Sequence, residues 1–314
     1  MELGEEELQL YQFETIESGR RVQLKIHVPQ MFHSLLIGTK GATRKRIEAE
    51  TKSQILIPKI GETSTSVILK GTTKKSLISA KNRIDLIIIS GRAKQQFTHF
   101  LSVCFTTNEM KDNFTRFKKE LLNDPDIFGL DESLFQKAEK LHLTVVMLVL
   151  LDNEDRAIAS DLLQDCKEFI IDPILQNKPL KVKLSGLNYM NDDPSAVDVL
   201  YGTIVSDELQ EICNGIAEYF ASQGFIQQKT DNVKLHVTLI NSRFGDSDDA
   251  VEKDDEKDSR DHNRNQRKTF DASKILKKYK DFHFGSMQVK EIHLSQRYSK
   301  ASNGYYEATG VLKL

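Results

Sequence analysis

One six-residue phrase occurs twice in this chain, as Lys140-Leu141-His142-Leu143-Thr144-Val145 and as Lys234-Leu235-His236-Val237-Thr238-Leu239. Both copies read Lys-Leu-His-apolar-Thr-apolar, and both sit in β-rich, alternating runs. Successive side chains of a strand point to opposite faces, so each His shares a face with the Thr two positions on. Leu141, Leu143 and Val145 point the other way, as do Leu235, Val237 and Leu239. Each strand therefore has an apolar back and a front patch of one imidazole and one hydroxyl. The expectation is two such patches facing one another to make a cleft. A satisfied core histidine is the alternative for either copy alone; the shared flanks of the pair argue against it.

Those residue types suit phosphodiester chemistry. Splitting a phosphodiester needs a base for the nucleophile's proton and an acid for the departing oxygen. Two imidazoles with an ordinary pKa near ~6.5 can divide these roles near neutral pH. Thr144 and Thr238 can donate hydroxyl hydrogen bonds to non-bridging oxygens. The sequence has no His-Glu-x-x-His and no acidic ligand beside either His, so no metal or other cofactor is expected. Its symmetry does not say which His is the base.

The chain upstream narrows the substrate. Val22, Leu24, Ile26 and Val28 alternate as one face of a half-buried strand. A short apolar helix follows at Met31 to Ile37, then Gly38-Thr39-Lys40-Gly41, then a helix-forming run from Ala42. Strands are expected over 54–59 and 65–71, and a long amphipathic helix from Lys74 to about Ser90. Paired glycines let a nucleic-acid backbone come close, and the helix that starts there offers free N–H groups to phosphate. Lys40, Arg44, Lys45 and Arg46 add local positive charge, whereas the net charge of −2 makes no bulk case for nucleic acid. Aspartate at Gly38, Thr39 or Lys40 is expected to weaken single-strand binding without unfolding the domain.

This order, with its Leu36-Ile37-Gly38-Thr39-Lys40-Gly41 loop, resembles a type I KH domain (βααββα), which clamps about four nucleotides of single strand. The doubled His-x-Thr resembles the 2H phosphoesterase superfamily. The chain thus divides into an N-terminal extension (1–19), a KH domain (20–94) and a two-lobed 2H phosphoesterase-like domain (95–314). The fold class is α+β, with antiparallel sheets and outer helices. Ser90 to Lys94 is a short join, not a flexible linker, and suggests a fixed orientation of the two domains.

In the second domain strands are expected at 97–105, 141–150, 181–189, 197–205, 235–241, 286–294 and 305–312. Helices are expected at 109–122, 133–139, 156–171, 207–222 and 272–278. Residues 245–268 are nearly all charged or polar and read as a mobile loop. Arg297, Tyr298, Tyr305 and Tyr306 are softer candidates for phosphate and base contacts.

The superfamily resemblance implies cleavage of single-stranded RNA ends or 2′,3′-cyclic phosphates by His142, Thr144, His236 and Thr238. A non-catalytic RNA-binding adaptor remains the alternative. The KH–2H pairing, with 97–101, 140–151 and 189–201, is similar to a family of subunits of nuclear helicase-containing complexes. That resemblance implies partnership with a helicase subunit, transcription coactivation and alkylation-damage repair. It implies single-stranded RNA as ligand, with single-stranded DNA as a second possibility. Three scattered cysteines favour a reducing compartment, the acidic start lacks a signal-peptide core, and no apolar run suits a membrane.

Overall fold

The computed structural model describes residues 11–16, 21–59, 61–62, 64–226, 232–244 and 269–314. The expected loop at 245–268 lies outside them. The chain forms two compact units, one of Met1–Gln95 with Leu151–Ala157 and Ser222–Gln227, the other of the remainder.

The first unit has a four-stranded antiparallel sheet in the order β1-β2-β4-β3, built from β1 (Phe13–Ile16), β2 (Arg21–His27), β3 (Ser53–Leu56) and β4 (Ser66–Gly71). Strand β1 falls in what the sequence suggested was an extension; Phe13 pairs with Leu24 and Ile16 with Arg21. Helices α1 (His33–Ile37), α2 (Ala42–Thr51) and α3 (Lys74–Arg92) cover the sheet. The Thr73 hydroxyl caps α3 by accepting from Ser76 N at 3.2 Å. Leu77, Ala80, Ile84 and Ile88 recur at helical spacing and meet Leu24, Ile26, Val67 and Leu69 in one core.

The expected join at Ser90–Lys94 is instead the end of α3, and Arg92 is buried. Its guanidinium grips the Asp155 carboxylate with two bonds of 2.6 and 2.9 Å. His27 Nε2 lies 3.1 Å from the same carboxylate and 3.4 Å from Asp152. The 151–157 segment is thereby pinned to the end of β2 and of α3 inside this unit.

The second unit is built on one eight-stranded sheet, in the order β10-β7-β8-β9-β6-β5-β11-β12, antiparallel throughout. Its strands are β5 (His99–Cys104), β6 (His142–Leu148), β7 (Lys181–Met190), β8 (Val199–Ile204), β9 (His236–Asn241), β10 (His283–Gln288), β11 (Glu291–Gln296) and β12 (Ala308–Lys313). The expected single strand over 286–294 is two. Residues on either side of Val289 and Lys290 pair with different partners, β10 with β7 and β11 with β5. In a flat sheet the first and seventh strands would lie about 29 Å apart. Three peptide steps reach no more than about 11 Å. The sheet therefore curls until the end of β10 meets the start of β11.

Helix α4 (Asn108–Asn123) buries Met110, Phe114, Phe117 and Leu121, and Phe117 packs on Phe284 of β10 at 5.3 Å. Helix α5 (Asn153–Cys166) runs through a π-turn into the short α6 (Asp172–Leu175). Helix α7 (Asp207–Ser222) buries Leu209, Ile212, Cys213, Ile216, Ala217 and Phe220, and α8 (Ser273–Tyr279) is short. The helix expected at 133–139 does not form. Phe135 is buried and bridges Ile240, and Gln136 N donates to the Leu239 carbonyl, so tertiary pairing draws this stretch out between two 3₁₀ turns.

Candidate active site

The two His strands are neighbours in the sheet. Leu143 pairs with Val237 in antiparallel register. One residue to either side, that register sets His142 across from Thr238 and His236 across from Thr144. Cross-strand neighbours have Cβ atoms about 5 Å apart. The two patches expected to face one another are therefore side by side, alternating imidazole and hydroxyl around a pseudo-two-fold axis at the Leu143–Val237 pair. All four side chains are half-buried, while Leu143 and Val237 on the reverse face are fully buried.

Each strand carries a β-bulge just after its Thr. Thr144 pairs with Ser102 but Val146 with Leu101, which leaves Val145 over; Thr238 pairs with Tyr201 but Ile240 with Leu200, which leaves Leu239 over. Bulges bend a strand and re-aim its side chains. Here they end the front-facing alternation directly beyond the hydroxyls.

Both imidazoles are held alike. His142 Nδ1 lies 2.7 Å from the Lys140 carbonyl and His236 Nδ1 lies 2.8 Å from the Lys234 carbonyl. A carbonyl only accepts, so Nδ1 carries the hydrogen and Nε2 is the basic nitrogen of the neutral ring. Burial lowers the His236 pKa from its ordinary value, and the nearby Lys234 charge lowers it further, against the opposing pull of the carbonyl. His236 is thus neutral at pH 7 and suited to take a proton at Nε2. Neither threonine hydroxyl has a hydrogen-bond partner among the described residues, which leaves both able to meet a phosphoryl oxygen.

Aromatic rings wall the site. His142 packs against Phe100 at 5.1 Å and edge-on against Tyr306 at 5.5 Å; His236 meets Tyr201 at 5.4 Å. Tyr201 went unnoticed in the sequence, although it pairs with Thr238 in β8. Tyr305 is buried, donates its hydroxyl to Ser102 at 2.9 Å, and so belongs to the support behind His142. Burial argues against the substrate contact expected of Tyr305, whereas Tyr306, also expected there, is half-buried. Arg297 is also buried, stacked on Tyr298 at 4.7 Å and facing the Phe97 carbonyl, and only Tyr298 of that pair is exposed. Cys104 pairs with His142 across the strands, but burial pushes its thiol up to about 11, which keeps it protonated.

In the first unit Gly38, Thr39, Lys40 and Gly41 form a tight turn ahead of α2. Gly38 has φ +70°, and a Cβ there would lie 2.2 Å from Thr43 Oγ1. Aspartate at Gly38 is therefore a folding defect and not a clean binding probe, contrary to the sequence expectation. Thr39 and Lys40 are exposed at the tip, as are Lys45 and Arg46 on α2, and Lys40 itself has φ +52°. Arg44 is partly engaged with Glu48 at 3.9 Å. Gly41 begins α2 in the left-handed region, with no side-chain cap. The first N–H of α2, that of Ala42, donates to the Thr39 carbonyl of the turn itself.

The model of the AKAP7 2′5′ RNA ligase-like domain family matches residues 97–314, and that of the KH domain matches 23–86. The chain belongs to the AKAP7 2′5′ RNA ligase-like family, and it carries an RNA-binding KH domain ahead of its 2H phosphoesterase-like fold. More particularly, it is similar to activating signal cointegrator 1 complex subunit 1 of Mus musculus, with 35% identity over 312 residues, 95% of this chain and 85% of that protein. Of solved structures, the protein TT0787 of Thermus thermophilus aligns with a TM-score of 0.46 at 14% identity, covering 69% of this chain and 97% of its own. The first type I KH domain of human vigilin aligns with a TM-score of 0.23 at 24% identity, covering 24% of this chain and 79% of its own.

Proposed function

We propose that the second unit is a metal-independent two-histidine phosphodiesterase acting on single-stranded RNA ends or 2′,3′-cyclic phosphates. The KH loop supplies the RNA, held at Gly38, Thr39, Lys40, Gly41, Arg44 and Lys45. The observation that carries this reading is the β6–β9 register, which sets each His across from the other strand's Thr. A phosphoryl group over the Leu143–Val237 pair would have an imidazole on either flank. One Nε2 takes the proton of the attacking hydroxyl or water, and the other, protonated, gives its proton to the leaving oxygen. The two threonine hydroxyls donate to the non-bridging oxygens, where charge builds. The similarity to a cointegrator complex subunit supports a place in a nuclear, helicase-containing assembly concerned with transcription coactivation and alkylation-damage repair.

The test is incubation of RNAs with defined 3′ ends, with and without chelator, with the wild type and with His142→Ala and His236→Ala. Products from the wild type alone, unaffected by chelator, are expected. Chelator-abolished activity refutes the metal-independent mechanism. RNA binding without products from any form would make the site a holder of nucleotide or RNA ends, the adaptor reading.

A further inference from the structure

Helices α1, α2 and α3 of the first unit enclose a groove of about 400 Å³ that the nucleic-acid loop does not use. Leu35 of α1 and Leu86 of α3 line it, 48% and 65% exposed, together with half-buried Ile87. Leu86 stands off the face of α3 that carries Leu77, Ala80, Ile84 and Ile88 into the core. Gly91 shapes the groove by its lack of a side chain. A Cβ there would lie 2.8 Å from the Phe32 ring and 3.2 Å from Leu35, so glycine lets α1 come close to α3.

The charges around these apolar walls have one sign. Arg46 of α2 and Lys94, just past the end of α3, line the groove; both are exposed, and neither has an ion pair among the described residues. No carboxylate lines it. Further back along α3, Arg83 pairs with Glu50 and ties α3 to α2. From Arg83 to Lys94 the lane beside α3 is about 16 Å long, or about three helical turns.

The groove is set apart from the RNA-binding flank of α2. Arg44 meets Glu48 at 3.9 Å, and Glu48 accepts from Ile55 N of β3 at 2.7 Å, so both face β3. Thr43 and Arg46 lie on the other flank and line the groove. Its lining includes no aromatic ring on which a base would stack. Aliphatic walls about three turns long with a cationic rim instead match an amphipathic helix with apolar residues at i, i+3, i+4 and i+7 and carboxylates beside them.

We propose that this groove docks an acidic amphipathic helix of a partner protein. Its apolar side chains rest on Leu35, Leu86 and Ile87, and its carboxylates meet Arg46 and Lys94. The inference goes beyond the phosphodiesterase reading and does not depend on it. Protein and RNA then occupy opposite flanks of α2, and one domain holds both.

The test uses the full chain and a fluorescent helical peptide about four turns long, with leucines at i, i+3, i+4 and i+7 and glutamates on either side of them. A second peptide carries lysine in place of every glutamate. Anisotropy titrations are expected to show the glutamate peptide binding at least about tenfold more tightly than the lysine peptide. Leu86→Ser should weaken glutamate-peptide binding by about tenfold and leave single-strand RNA affinity within about twofold. Arg46→Glu/Lys94→Glu should reverse the preference between the two peptides, a gain of lysine-peptide binding that an unfolded form would not show. Failure of the parent to bind either peptide, equal affinity for both, or displacement of the glutamate peptide by RNA would overturn the proposal.

Discussion

Asp155→Asn takes one charge from a carboxylate that has no exposed surface. Burial alone would raise its pKa, but the hydrogen bond from His27, the two from Arg92 and the Leu151 N–H at 2.9 Å outweigh it. Together they carry the pKa down from 3.8 to about 2. At about 1.36 kcal/mol per pKa unit, these partners favour the ionised form by roughly 2 kcal/mol. The variant also breaks the buried Arg92–Asp155 pair, and breaking a buried pair costs about 3–5 kcal/mol. A loss of about 2–4 kcal/mol at pH 7 is expected, confined to the first unit. A depressed carboxyl pKa contributes stability that is present above the unfolded value of 3.8 and is lost as pH falls through about 2, so the cost of the substitution should fade over that interval. The two units need not unfold together, so the assay is amide hydrogen exchange on the full chain, read at Leu24, Ile26 and Ile84. A change under about 1 kcal/mol at pH 7, or one of equal size at pH 2, would refute the reasoning.

His142→Ala and His236→Ala are each expected to lower turnover by about 10²–10⁴, and Thr144→Ala or Thr238→Ala by about 10², in a single-turnover RNA cleavage assay. The His236 pKa, lowered by burial and by Lys234, should place the acid limb of the rate profile below 6.5; an NMR titration of the imidazole at or above that value would contradict the site's electrostatics. For His27, burial opposes protonation, but Asp155, Asp152 and Glu154 outweigh it and raise the pKa above 6.5. Its contribution is complete below 6.5 and is lost as pH rises through the raised value, so His27→Gln should cost the first unit more at pH 6 than at pH 8.5. Lys40→Asp should weaken single-strand binding at unchanged melting temperature, whereas Gly38→Ala should lower the melting temperature, because its Cβ meets Thr43.

The repeated phrase placed both His strands, because a period of two survives in any half-buried sheet. It did not show that the strands are adjacent, since register is a long-range property of the pairing. One local sign was present. Val145-Val146 and Leu239-Ile240 put two apolar residues in succession after each Thr, and both members of each pair are buried at the bulges. The 286–294 stretch hid its break because Val289 keeps the apolar pattern going while its N–H bonds to Leu180 instead of continuing a ladder. Helical spacing at 133–139 lost to the pairing of Phe135 with Ile240. Tyr201, Tyr306 and the burial of Tyr305 depend on which strands lie side by side, and nothing near those residues in the chain records that.

The eight-stranded sheet also has an order in time. Strands β7, β8, β9 and β10 form one half and are consecutive in the chain, so a growing polypeptide can complete the half bearing His236 as soon as β10 has emerged. The half bearing His142 opens with β5 and β6, but it is finished only by β11 and β12, which come after β10 in the chain. Until then one long edge of β5 is unpaired. During synthesis, β5 is therefore the strand most in need of shielding from other chains.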